Sequence, residues 1–103
     1  MNVIHWDADR EGPLSEAAMR RKLEQLGYRV SRYVYPQGTY FGPHTHDLDK
    51  MDAVVSGRLH ITMGRDEAVL GPGDAIAVPR GASHTAEAVS VEPVVSLDGV
   101  KIA

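Results

Sequence analysis

His44 and His46 stand two residues apart, and a β-strand turns residues i and i+2 to the same face. Their imidazoles then leave the backbone about 6.5–7 Å apart, so that two ring nitrogens can converge on one ion at about 2.0–2.1 Å each. His84 follows much later, behind Pro79-Arg80-Gly81, at the start of another expected strand. A closed sheet can bring it opposite the first two. Three imidazoles suit a divalent transition metal (Fe, Mn, Ni, Zn or Cu) rather than Mg or Ca, which take oxygen ligands. Lys50, Asp52 and Val54 share one strand face. Two readings of Asp52 stay open: a displaced fourth metal ligand, or an interior ion pair with Lys50. Lys50 is a candidate general base beside a bound cation, or else the anchor for a ligand carboxylate. Tyr40 lies four residues before His44 and is a candidate catalytic hydroxyl if that strand is regular; a bulge at Gly42-Pro43 would void the placement. His5 and His60 are given no metal role.

The elements that must hold these residues are mostly strands. One helix is expected over 13–27, opened by Pro13, closed by Gly27, and packed through Met19, Leu23 and Leu26. Residues 1–12 show no clear period and read as an N-terminal arm. From residue 28 onward, short runs rich in Val, Ile, Tyr and Thr alternate with Gly, Pro or Asp every 8–12 residues or so. The expected strands are Tyr28–Tyr35, Tyr40–His46, Met51–Ser56, Leu59–Met63, Ala68–Leu70, Ala75–Val78, His84–Val89, Val91–Leu97 and Val100–Ile102. The fold class is therefore all-β, a small antiparallel sandwich or barrel over 28–103 in a single domain of 103 residues.

The residues between these points follow two fixed patterns. Gly38, five residues, His44-Thr45-His46 and Gly57 make the first; Gly73, five residues, Pro79, Gly81 and His84 make the second. This resembles the paired motifs of the cupin superfamily, G(x)5HxH(x)3–4E(x)6G and G(x)5PxG(x)2H(x)3N, with the short spacer of small microbial cupins between Gly57 and Gly73. The resemblance implies a double-stranded β-helix (jelly-roll) barrel with one N-terminal α-helix, a metal held by His44, His46 and His84, and a small-molecule ligand or substrate. Lys50 stands where the motif has its metal-binding Glu, and Ala88 where the second has Asn. Three-histidine sites in cupins resembling thiol dioxygenases imply that a metal can be held without that Glu. Dioxygenation, isomerisation and decarboxylation are all compatible with the family. The alternative is a non-catalytic sensing or binding barrel without metal, with Lys50 as anion anchor.

Composition excludes several other classes. The chain has no cysteine, so disulfides, thiolate zinc sites, iron–sulfur clusters and cysteine nucleophiles are ruled out. A net charge of −3 gives no general basic surface for a nucleic-acid backbone. No apolar run approaches the ~20 residues that cross a bilayer, and the first residues do not read as a signal peptide. A cytoplasmic protein is expected, a homodimer through exposed strand edges, with no DNA-binding domain beside the barrel.

Overall fold

A computed structural model describes residues 1–102; Ala103, the last residue of the expected barrel, lies outside the described residues. The strands β1 (Val3–Ile4), β2 (Tyr28–Tyr35), β3 (Tyr40–His44), β4 (Lys50–Ser56), β5 (Leu59–Met63), β6 (Asp66–Leu70), β7 (Ala75–Val78), β8 (His84–Ala88) and β9 (Val94–Lys101) form two antiparallel sheets. One has the order β1-β7-β4-β9-β2 and the other β3-β8-β5-β6. The helices are a single turn, α1 (Ala8–Glu11), and the packed helix α2 (Glu16–Gln25).

Strand alternation builds two cores from one sequence. Val54, Ile76, Val78 and Val94 point between the sheets and meet Leu59, Ile61, Leu70 and Ala88 of the second sheet. The alternate residues Met51, Ala53, Ala75 and Leu97 point outward and are covered by Met19 and Leu23 of α2. This period of two is what puts Lys50 and Asp52 inside, because they share the face of Val54. Nothing apolar could replace their need for partners, and the barrel supplies those from other strands.

The helix is shorter than expected. The Ser15 side chain accepts a hydrogen bond from the Ala18 N–H at 3.0 Å, so α2 starts after that cap and leaves Pro13 outside. At the other end Leu26 is the C-cap and is exposed, so the buried stripe is Met19 and Leu23 only. The arm is not formless either. Val3 and Ile4 pair with Ile76 and Ala75, and the Asp7 side chain caps α1 through the Asp9 N–H. Two-residue strands and single turns carry too few residues to show a period.

The expected break at Asp98-Gly99 does not exist: Val94–Lys101 is one strand, paired along its whole length with β2. Gly99 serves close packing, since a Cβ there would lie 2.9 Å from Tyr28 Cβ and 3.1 Å from the Met51 carbonyl oxygen. That continuity carries Asp98 into the barrel interior.

Candidate metal centre

His44 ends β3 and faces His84, the first residue of β8, as its Cα partner across the ladder. His46 follows in the loop, held where the Gly81 N–H donates to its carbonyl oxygen at 2.9 Å. One ring nitrogen from each of the three histidines lies within 4.8 Å of the others, with ring centroids 4.1–5.0 Å apart. His44 Nδ1 lies 2.6 Å from the Gly42 carbonyl oxygen, and His84 Nδ1 lies 3.0 Å from that of Ala82. A carbonyl only accepts, so in both rings Nδ1 carries the hydrogen and the Nε2 lone pair is left free. Backbone partners of this kind orient a metal-binding imidazole.

Burial is the main cause that holds His46 and His84 below the ordinary imidazole pKa, with Lys50 and the neighbouring imidazoles acting in the same direction. Those shifts keep His46 and His84 neutral at neutral pH, as metal coordination requires. The set and convergence of the three donors fit a borderline divalent metal with further positions open.

The other wall of the cavity comes from the first sheet. The cavity measures about 140 Å³, and its lining joins the histidines to Tyr35 of β2, Lys50 and Asp52 of β4, and Asp98 of β9. Lys50 Nζ donates to Asp98 Oδ2 at 2.8 Å and lies 2.7 Å from Oδ1; its side chain is 12% exposed. The partner of Lys50 is thus Asp98 and not Asp52. Asp52 stands outside the histidine donor cluster among the described residues. Instead it is the Cα partner of Asp98, and burial together with that carboxylate raises its pKa well above the usual range. Tyr35 is pushed up to about 12 by burial and by the same two aspartates, so its phenol stays neutral.

Tyr40 is displaced. The register of β3 shifts between Phe41 and His44, so Phe41 takes the inward place on the wall and Tyr40 is 59% exposed. Gly42-Pro43 absorbs the shift, because proline has no N–H for the ladder.

Residues 31–100 match the cupin domain family. The chain belongs to the cupin superfamily. No curated protein matches it. Among solved structures it is similar to KdgF from Halomonas sp., at 23% identity over 75% of this chain and 72% of that one, TM-score 0.65. A cupin superfamily protein from Desulfitobacterium hafniense is 18% identical over 74% and 68%, TM-score 0.64. The DMSP lyase DddQ from Ruegeria pomeroyi is 26% identical over 71% of this chain, which spans 38% of that longer one, TM-score 0.61.

In this cupin the usual glutamate position holds Lys50, and Asp98 offsets the charge that would otherwise face a metal. Sequence reasoning missed Asp98 as a site residue. The signal was the alternation Val94, Ser96, Asp98 on one face, hidden by reading Asp98-Gly99 as a strand break. Of the remaining histidines, His60 Nε2 lies 3.3 Å from a Glu67 oxygen, and His5 Nδ1 lies 2.6 Å from Asp74 Oδ1.

The histidine shifts set a pH dependence. Unfolded imidazoles take up protons near about pH 6.5, whereas folded His46 and His84 do so only at lower pH. The unfolded chain therefore binds more protons in that window, and metal-free protein loses stability as pH falls below about 6.5. Asp52 works in the opposite sense, since its raised pKa favours the folded state in acid. Urea unfolding of chelator-treated protein and of a His46→Gln/His84→Gln variant isolates the histidines: the variant should lose less stability on acidification.

Proposed function

We propose that this cupin holds a divalent transition metal at His44, His46 and His84 and works as a metal-dependent enzyme on a small molecule, of dioxygenase, isomerase or decarboxylase type. The observation that carries the reading is the convergence of three imidazoles, two of them with Nδ1 committed to backbone carbonyls. Such a metal would polarise a bound oxygen or carbonyl group. The chain's own residues do the rest. Phe41, Leu59 and Ala86 give the cavity apolar walls that exclude water from a bound molecule. Tyr35 offers a neutral hydroxyl, and Lys50 keeps Asp98 in place through its ion pair.

The cavity volume suits a ligand of a few heavy atoms. Lys50 as a free anion anchor is less well supported, because its ammonium group already donates to Asp98. The same reading has the protein act as a cytoplasmic homodimer. What supports pairing is β2, an edge strand with Tyr33 and Val34 nearly half exposed.

Elemental mass spectrometry on untagged protein purified without chelator tests the metal. About one equivalent of a transition metal is expected in the wild type, and background in His44→Ala/His84→Ala, since losing even an outer-shell partner costs some 10–100-fold in affinity. Background metal in the wild type, even after reloading with Fe, Mn, Zn and Ni, would overturn the proposal.

A further inference from the structure

Across the cavity from the histidines, two carboxyl groups face each other on neighbouring strands, and one lysine is bound to one of them. Asp52 and Asp98 are Cα partners on β4 and β9, and both line the cavity. Like charges directly opposite on a ladder destabilise it, and an ionised carboxylate can only accept hydrogen bonds. Asp98 Oδ1 is buried beside the Lys50 ammonium, 2.7 Å away, whose directional bond goes to Oδ2. Among the described residues, the neighbouring elements add no further lysine or arginine to the cavity lining. β2 contributes the phenol of Tyr35, β3, β8 and the loop after β3 contribute imidazoles, and β7 sets the apolar Ile76 beside Asp52. One lysine thus serves two carboxyls.

We propose that Asp52 carries a proton at neutral pH, donates it to Asp98, and stands on the wall opposite the histidines as a carboxylic acid able to hand that proton to a bound small molecule. A proton between the two groups removes the like-charge pair and joins the carboxyls by a hydrogen bond. Burial and the Asp98 carboxylate both push Asp52 in this direction, and Lys50 opposes them only in part. Lys50 binds Asp98, so the proton between the two carboxyls is assigned to Asp52. In the transfer the O–H bond of Asp52 breaks and a bond forms between that proton and a basic atom of the ligand. The electron pair stays on Asp52, whose new charge faces Asp98 and so draws a proton back from solvent or product. The delivery of the proton rests on the enzyme reading above; the protonation itself does not.

The test is a carbon-13 NMR titration of aspartate Cγ signals in chelator-treated protein, each signal correlated with its own Cβ. Asp52 should remain protonated at neutral pH, far above the ~3.9 of an aspartate in a model peptide, and the late step should vanish in Asp52→Asn. Asp52 ionising together with the exposed aspartates would overturn the proposal. So would a late step that belongs to Asp98 and survives in Asp52→Asn. If that variant does not fold, the wild-type assignment alone decides between these results. No metal or substrate enters the titration, so its failure leaves the metal reading intact, and background metal content leaves the titration intact.

Discussion

Lys50→Met is expected to lower the stability of the protein at neutral pH by about 3–4 kcal/mol, one of the largest effects of any single change in the cavity. Lys50 Nζ lies 2.7 and 2.8 Å from the two oxygens of Asp98, with the two side chains 12% and 21% exposed. Removing the cation leaves an interior carboxylate beside Asp52 with no positive charge to offset it. Breaking an interior pair in this way costs about 3–5 kcal/mol. The upper end is not reached, because Asp98 can escape by taking a proton, and protonating an ordinary carboxyl at neutral pH costs about 4 kcal/mol. The penalty therefore shrinks on acidification, as the carboxyl fills with protons in folded and unfolded chains alike. Urea unfolding at neutral pH and near about pH 4 measures both. Lys50→Met/Asp98→Leu should recover most of the loss, since replacing both members of an interior pair by apolar residues is often neutral. A penalty that is independent of pH would mean that Lys50 contributes through packing of its methylene chain rather than through Asp98.

Gly57→Ala should cost about 3–5 kcal/mol, and Gly81→Ala only about 1–2 kcal/mol, although both are motif glycines at the same φ of +80°. The left-handed backbone accounts for the share common to both. At Gly57 a Cβ would also stand 2.8 Å from the Pro93 carbonyl oxygen and 2.9 Å from Val94 Cα. Those atoms belong to backbone leading into β9 and cannot yield without moving the strand that carries Asp98. Ser90 Oγ, 3.0 Å away, is itself fixed by bonds with the Arg58 N–H and the Glu92 carbonyl oxygen. At Gly81 nothing lies within 4 Å of the added atom, so strain is the whole cost there. Denaturant midpoints of the two variants provide the comparison, and equal losses would mean that crowding at Gly57 is relieved without penalty.

Much of the fold was legible because it depends on local spacing. The bounds of β2, β5 and β7 follow directly from runs of branched and aromatic residues between turn residues. The helix was visible from Met19 and Leu23, but its ends were not, because Ser15 competes with Pro13 to define the start and only the fold shows which cap is used. In the site, the His-x-His spacing and the late His84 marked three residues that do come together. Tyr40 failed for a physical reason: a bulge of one register step moves a side chain to the opposite face, and Gly42-Pro43 permits either outcome.

The amino-acid sequence by itself determined the cupin barrel, its histidine trio and the lysine in place of the family's glutamate. These are matters of residue type at fixed short separations, which chain geometry translates into faces and turns. Only the tertiary structure decided what answers that lysine. Asp98 lies 48 residues away from it, on a strand that sequence reading had broken in two, and the pair exists because β4 and β9 align in one particular register. Charge pairing across strands is set by that alignment and by the barrel's low exposure to water, neither of which a local pattern contains.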